Sequence, residues 1–568
     1  MPKARERRAT RPVTNAELAR RLREAAQLLR AQGENPFKVR AYRRAADTVA
    51  GLSESVDGMV RAGGDLTRFS GIGKGIAAAL REMVLSGKGE QLELSLAAAP
   101  PHLAALNEYP RLDPERVIRV YKTLGISTLS QLKEKFEAGV VAVKFGQAMH
   151  EHFRQAFSQT HQILLSEADE LAVRVRRYLL ERCGVTRVEL IGEVRRRVEI
   201  VGELAFLIAA DELRAVTACL RKYGGGIDPV EATENDATFQ LPDSILVTLQ
   251  RAEPRHWGLS LIVGTGSPAH LEELDKPGGA LVKLAKSAAG FPDEAKAYRA
   301  MGLAWIPPEL REGRNEVTLA RRDELPELVA ATDIRGDLHA HTTASDGSHT
   351  IEQMAAAAAA KGYEYLGITD HSQSLKIARG VSVPDLRRQI KRIDALNAKG
   401  LGIRLLKSAE VDILADGSLD YPDELLAELD YTVCSIHSRF RLGRTEQTER
   451  LLRAMDHPAF TMLGHATGRL LLRRPGYDLD FERVIAHAKA AGCFFEINAT
   501  PDRLDLSAEN VRLATAAGVK VAICTDAHHV RELDNLSYGI DVARRGGVEK
   551  AMVLNAMPWT KLRPSLAR

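Results

Sequence analysis

Short apolar runs bounded by polar turns recur through the carboxyl-terminal part of this chain. YEYLGI (363–368), YTVCSI (431–436), FTMLG (460–464) and VKVAIC (519–524) are examples, and helical stretches separate them. Such a run fits a strand buried on both faces, as in a parallel sheet. The earlier chain is patterned differently. Residues 13–95 and 96–160 read as short helices, with Asn35-Pro36 as an N-cap followed by proline at the first helical position. Residues 161–250 turn to mixed α/β, where VTRVELIG and VGELAFLIAA read as strands. Residues 251–330 are mixed and end at WIPPELREGRNEV, whose prolines and following charges mark a boundary. The expected domains are therefore 1–95, 96–160, 161–250, 251–330 and 333–568, in line with the several domains that 568 residues allow.

Composition changes this picture little: 45% hydrophobic and 27% charged is ordinary for a globular protein. The five cysteines (Cys183, Cys219, Cys434, Cys493, Cys524) contain no CxxC pair, which argues against a disulfide framework or a thiolate zinc site and fits a reducing cytosol. The basic start MPKARERRAT leads into no apolar segment, so no secretory signal is expected, and the alanine run 355–360 is too short to span a bilayer. Charge is uneven. Residues 1–44 hold thirteen lysines and arginines against four acids, a balance of +9, so with a total of +4 the rest carries −5. A basic arm suits a polyanion such as nucleic acid, or is a solvated tail.

Candidate chemistry is concentrated after residue 333, where ten of the sixteen histidines lie. DLHAHTTASDG (337–347), ITDHS (368–372), AEVDI (409–413), SIHS (435–438), GHATGR (464–469) and TDAH (525–528) supply nine metal-ligand side chains. They are His339, His341, Asp346, His371, Glu410, His437, His465, Asp526 and His528. Ligands at the carboxyl ends of successive barrel strands converge on one pocket, and nine of them hold more than one ion. Asp370 either orients a ligand histidine or caps a helix. His349, His457, His487 and His529 read as surface or packing residues. Further upstream, SGIGKGIAAAL places Gly71, Gly73 and Gly75 at a tight turn opening a helix, with Lys74 beside them. Its amides suit a backbone phosphate, although a helix–turn–helix packing corner needs the same glycines.

These segments resemble a known family over nearly the whole chain. DIRGDLHAHTTASDG, YLGITDHSQSL, EVDILADGSLDYPDELL, GHATGRLLLRRP, EINATPDRLDL and TDAHH are similar to the polymerase-and-histidinol-phosphatase (PHP) domain attached to bacterial family X DNA polymerases. NPFKVRAYRRAADTV, GIGKG, IGEVRRRVEIVGELAFLI and WIPPELREGRNEV resemble the polymerase part. The resemblance implies a multidomain α and α/β protein. Helix-hairpin-helix and fingers-like helical domains would precede a nucleotidyltransferase-like palm, a thumb and a distorted TIM-like (β/α) barrel. It also implies a trinuclear site and manganese-dependent 3′→5′ exonuclease chemistry. Within that site His339, His341, Glu410 and Asp526 would surround one ion and act catalytically. Glu410 would bridge to a second near His437 and His465, and Asp346, His371 and His528 would hold a third. Ligands without thiolate suit manganese, zinc or iron.

The polymerase half departs from the family's pattern. Where a pair of aspartates is expected the chain reads Gly202-Glu203-Leu204-Ala205, and the third carboxylate falls at Ser244, with Asp243 one residue off. Period-two alternation points Asp243 to the opposite face. The serine that faces the triphosphate is Glu193, the aromatic pair is Val263-Gly264, and the Schiff-base lysine of some relatives falls at Ala79. YPRLDP (109–114) and KFGQAM (144–149) lack paired glycines. Arg195, Arg196 and Glu199 match, and the two arginines fit either DNA-phosphate contact or a structural role. The expectation is a polymerase half that binds DNA but catalyses nothing. Arg439, Arg441, Arg444, Arg469, Arg473, Arg474 and Arg503 flank the ligands; Arg439, Arg469 and Arg503 head the candidates for substrate phosphate, the rest of the set being equally explained as a solvated loop face. The leading function is a DNA phosphoesterase processing gapped or 3′-ended DNA in repair, cytoplasmic and nucleoid-associated, with a monomer as the favoured state and no membrane. Alternatives are a bifunctional repair polymerase plus exonuclease, a small-molecule phosphatase of the histidinol-phosphate type, and a non-enzymatic DNA-binding scaffold.

Overall fold

In the computed structural model the chain divides into two units, one of Met1–Ile163, Glu167–Val194 and Val201–Gly264, the other of Leu164–Ser166, Arg195–Ile200 and Thr265–Arg568. The structure describes residues 13–31, 36–52, 54–69, 71–86, 112, 114–158, 162–223, 227–241, 245–276, 278–287 and 289–566. Asn35, most of YPRLDP, and Asp243 and Ser244 lie outside them.

The first unit holds three successive cores. Helices Asn15–Ala31, Pro36–Gly51, Val56–Arg61 and Lys74–Ser86 bury Leu18, Leu22, Val49, Leu66 and Leu80. The second helix begins at its proline, which lacks only an N–H that a helix start leaves unpaired anyway. Helices Pro114–Leu124, Leu129–Glu137, Val140–Phe145 and Gln147–Ser158 close over Val117, Val120, Leu132 and Phe153. A five-stranded mixed sheet follows in the order Arg187–Ile191, Glu203–Ala209, Leu246–Arg251, Asp236–Gln240, Pro229–Ala232. Its first two strands are the two apolar runs expected there. Glu203–Ala209 lies parallel to Leu246–Arg251, whereas the other pairings are antiparallel.

One cysteine expectation is corrected. Cys183, one residue past helix Leu165–Arg182, and Cys219, in helix Leu213–Leu220, form a disulfide with their Cα atoms 5.5 Å apart. A pairing across 36 residues is set by which helix surfaces meet, and spacing motifs do not encode that. Cys434, Cys493 and Cys524 are buried and outside any disulfide among the described residues.

The second unit opens with short helices around a buried polar network. Glu294 accepts hydrogen bonds from Arg195 (2.7 and 2.8 Å), Arg311 (2.6 Å) and the Trp305 indole (3.2 Å). Burial alone would raise its pKa, but the two guanidinium groups outweigh it and hold the carboxyl at about 2. Because this pKa lies below its ordinary 4.5, the network's contribution is present above pH 4.5 and is lost as pH falls from there towards 2. The shift corresponds to roughly 3 kcal/mol. Thermal melts across that window should show wild type losing stability steeply. Glu294→Gln should melt lower at neutral pH, with a shallower acid dependence; parallel curves would exclude this network as the cause.

After residue 333 the chain alternates strand and helix. Gly336–Asp337, Tyr365–Ile368 and Arg404–Lys407 form a three-stranded parallel sheet. Glu410–Asp412, Val433–Ser435, Met462–Leu463, Phe494–Asn498 and Val521–Cys524 form a five-stranded one, also parallel. Parallel bridges His371–Glu410 and Ala340–Ala527 join the two sheets at their ends. Each of the four predicted runs contains a strand, and the strand residues are buried. Gly367 must be glycine, since a Cβ there would run into the buried Tyr431 hydroxyl, which donates to Leu338 O at 2.6 Å. Asn555 fixes the first strand to the last: its side-chain amide donates to Gly336 O (2.8 Å) and Ile523 O (2.7 Å) and its oxygen accepts from Ile523 N (3.0 Å).

Candidate metal centre

Parallel strands deliver their ligands at their carboxyl ends, so residues far apart in sequence meet. Among the described residues, ligand atoms from three or more such side chains approach within 4.8 Å in three overlapping groups. His339, His341, Glu410 and Asp526 form one, His341, Asp346, His371 and His528 another, and His371, Glu410 and His437 the third. The shared members tie the groups together. Glu410, 1% exposed, has one oxygen 3.5 Å from His339 Nε2, 3.5 Å from His341 Nε2 and 2.8 Å from His371 Nδ1. Its other oxygen lies 2.8 Å from His465 Nε2 and 3.3 Å from His437 Nε2. Asp526 sits 3.0 Å from His341 Nε2, and Asp346 lies 3.3 and 3.5 Å from His528 and His371. All nine sequence-derived ligands are thus drawn into one centre.

Whether cations fit is answered by the orphaned atoms. His339 Nε2, His341 Nδ1, His371 Nδ1, His465 Nδ1 and Glu410 Oε2 are buried without a hydrogen bond. Five such atoms in one place are costly unless a ligand satisfies them, and nitrogen and oxygen donors suit divalent ions. The charges also press on one another. Burial alone would lower the imidazole pKa values, but Glu410 and Asp346 push His371 up to about 10, Glu410 and Asp412 push His437 to about 9, and Asp346 and Asp526 push His528 to about 9. His341 goes down to about 4, through burial and the neighbouring His528 and His371. Asp346 falls well below the ordinary range because His371 and His528 outweigh its desolvation.

A surrounding set of acids orients these ligands, and sequence reasoning did not single them out. Glu496 faces His339 Nδ1 at 2.6 Å and accepts from His465 N at 2.6 Å; Asp412 faces His437 Nδ1 at 3.0 Å. Each leaves the far ring nitrogen for the centre. Asn498 donates to Asp526 at 3.0 Å, and Asp337 accepts from His339 N at 3.1 Å. A signal existed: Glu496 is a wholly buried charge inside FFEIN, and Asp412 follows Glu410 by two residues on one strand face. Asp370 performs neither role considered for it. It accepts from Thr342 N (2.8 Å), Ser345 Oγ (2.5 Å) and Gln389 Nε2 (2.7 Å), pinning the loop after His341. His465 and Asp526 hold positive φ of 25° and 53°, local strain at two ligands. Glu496→Gln is expected to weaken metal retention by roughly 10–100-fold; metal content after gel filtration checks this, and wild-type retention would exclude the role.

The other candidates are placed as follows. Arg503 is half-buried with Nε 4.0 Å from Asp526, and Arg439 is exposed beside the centre's His437 segment. Arg469 is bound to Glu199 (2.7 and 3.3 Å). Arg441, Arg444 and Arg473 are exposed, and Arg474 lies 4.3 Å over the Phe440 ring. Arg195 and Arg196 face Glu294, Glu312 and Thr265. His457 and His487 face Asp423 and Asp456, and His349 packs against His529. Gly73, Lys74 and Gly75 are exposed at the start of helix Lys74–Ser86, whereas Gly71, at φ +87°, leaves only 3.0 Å between a would-be Cβ and Arg44. Glu193 accepts from Gly202 N at 2.6 Å, Glu203 opens its strand, and Ala205 is buried among Ile191, Leu207 and Trp257.

Comparison with known proteins agrees with this geometry. Residues 13–89 match the helix-hairpin-helix domain model and residues 337–500 the PHP domain model. Helices that bear a hairpin for nucleic acid, joined to a multi-ligand PHP centre, define a hydrolytic enzyme of the DNA-processing class. The chain is 34% identical over 561 residues to the DNA polymerase/3′-5′ exonuclease PolX of Bacillus subtilis, covering 95% of this chain and 97% of that one. It belongs to the PolX family, the bacterial family X DNA polymerases with a carboxyl-terminal PHP domain. Probable phosphatases of Syntrophotalea carbinolica (28% over 237 residues) and Thermoanaerobacter sp. (29% over 230 residues) match 40% and 39% of the chain and 93% and 89% of their own lengths. No helix among the described residues is long and apolar enough to cross a membrane.

Proposed function

We propose that this chain is a manganese-dependent 3′→5′ exonuclease that trims gapped or 3′-ended DNA in repair, and that its polymerase half binds DNA without extending it. The convergence of eight ligands into three groups sharing Glu410, His341 and His371, with the ninth, His465, 2.8 Å from Glu410, carries the reading. Two or three divalent ions bound there would supply an activated water and neutralise developing phosphoryl charge. His339, His341, Glu410 and Asp526 hold the reaction centre, and Glu496 and Asp412 keep the His339 and His437 rings turned towards it. Arg439 and Arg503 meet the phosphate, where a bidentate guanidinium matches its oxygens. The eight strands from Gly336 to Cys524 act as a distorted (β/α) barrel over 333–568, joined end to end by the two bridges. Upstream, 1–95 is the DNA-binding hairpin domain, 96–160 fingers-like, 161–250 palm-like and 251–330 thumb-like. Lys74 and the amides of Gly73 and Gly75 contact a backbone phosphate. The protein is taken as a cytoplasmic, nucleoid-associated monomer.

A 3′-labelled oligonucleotide incubated with purified protein and manganese should shorten stepwise from its 3′ end. An intact oligonucleotide after loading with metal would overturn the reading. The matched phosphatases favour a second reading, hydrolysis of small phosphomonoesters. Faster turnover of histidinol phosphate than of DNA under the same conditions would select it.

A further inference from the structure

Glu199 lies between strands of the palm-like region, yet the segment Arg195–Ile200 belongs to the same unit as the metal centre. Several bonds hold it there. Arg197 reaches Asp541 at 2.8 Å, Arg545 donates to Arg196 O at 2.6 Å, and Glu199 O accepts from Leu165 N at 3.1 Å. The Glu199 carboxylate takes both ends of the Arg469 guanidinium, at 2.7 and 3.3 Å, with the two side chains 19% and 16% exposed. Arg469 follows the ligand His465 by four residues. Its Nε donates to Arg503 O at 3.0 Å, and Nη2 also donates to Leu504 O. Arg503 in turn places its own guanidinium 4.0 Å from the ligand Asp526. One chain of contacts therefore runs from Glu199 through Arg469 to the backbone of Arg503 and on to the edge of the metal centre.

We infer that Glu199 is a positioning residue for phosphodiester cleavage: by engaging Arg469 it fixes the backbone that aims Arg503 at the substrate phosphate. The inference rests on the nuclease reading above. The physical reason is that four guanidinium contacts, two to Glu199 and two to backbone carbonyls, hold Arg469 in one orientation. Removing the carboxylate leaves a largely buried charge uncompensated, and such a charge moves to find water or another partner. The loop carrying Arg503 then loses its anchor, while none of the nine ligands is touched.

The test uses the full chain and its point variants on a single-stranded oligonucleotide with manganese. Glu199→Gln should raise KM about tenfold, in the range of losses that orienting residues give, with bound metal per chain unchanged. Oligonucleotide affinity measured by fluorescence anisotropy in chelator should weaken in parallel. Glu199→Asp keeps the carboxylate and should restore most of the KM. Combining Glu199→Gln with Arg469→Gln should cost no more than Arg469→Gln alone, since the two act as a unit. Wild-type KM in Glu199→Gln, multiplied losses in the double variant, or failure of Glu199→Asp to recover relative to Glu199→Gln would each overturn the inference. Wild type cutting normally beside such results leaves the nuclease reading intact; wild type that never cuts removes both.

Discussion

Replacing Glu410 by glutamine is expected to abolish nuclease activity and to strip the centre of metal. Both carboxylate oxygens are committed: one faces His339, His341 and His371, the other His437 and His465. An amide offers one neutral oxygen and one donor, so five imidazoles lose the anion that lets them share cations. Metal assistance is worth several kcal/mol of transition-state stabilisation, so a rate loss of at least roughly 10³-fold follows. Inductively coupled plasma analysis of the purified variant should show fewer ions per chain than wild type, and circular dichroism should be unchanged. Retention of full metal content with wild-type cleavage would remove Glu410 from the centre.

The second large effect is an absence. No primer extension is expected from this chain, and the assay is cleanest in Glu410→Gln, where degradation cannot mask synthesis. Nucleotidyl transfer needs two cations bridged by carboxylates. By the resemblance to the polymerase palm the second carboxylate falls at position 205, and Ala205 is buried there in an apolar cluster with Ile191, Leu207 and Trp257. Glu193, which the resemblance places at the triphosphate-facing serine, accepts from Gly202 N at 2.6 Å. Position 264 carries no ring, and a Cβ there would meet Ile191 Cδ1 at 2.8 Å. Incorporation of nucleotides in manganese that disappears on Glu203→Ala would show instead that one glutamate suffices.

What sequence could and could not reveal divides along physical lines. Period-two spacing and apolar runs are local properties, so the strands Tyr365–Ile368, Val433–Ser435, Met462–Leu463 and Val521–Cys524 and the ligands after them were readable. The resemblance implied Glu410 as a bridge, but the sharing of His341 and His371 was not legible. That His341 and His371 each serve two groups depends on ring positions of a few ångströms, which spacing does not encode. Long-range pairing escaped for the same reason. Arg195 and Arg196 fitted either a phosphate contact or a structural role and Arg469 a phosphate contact, and the acids Glu294, Glu312 and Glu199 that hold them lie 99, 116 and 270 residues away. Asp370 illustrates a different difficulty: a buried acid beside a ligand histidine served the backbone and hydroxyls of Thr342 and Ser345.

Asn555 joins the strand at Gly336 to the one at Val521–Cys524, and it does so from a position nearly thirty residues beyond the last ligand, His528. A ribosome must therefore release that asparagine before its three side-chain hydrogen bonds can reinforce the Ala340–Ala527 bridge between the opening and closing segments.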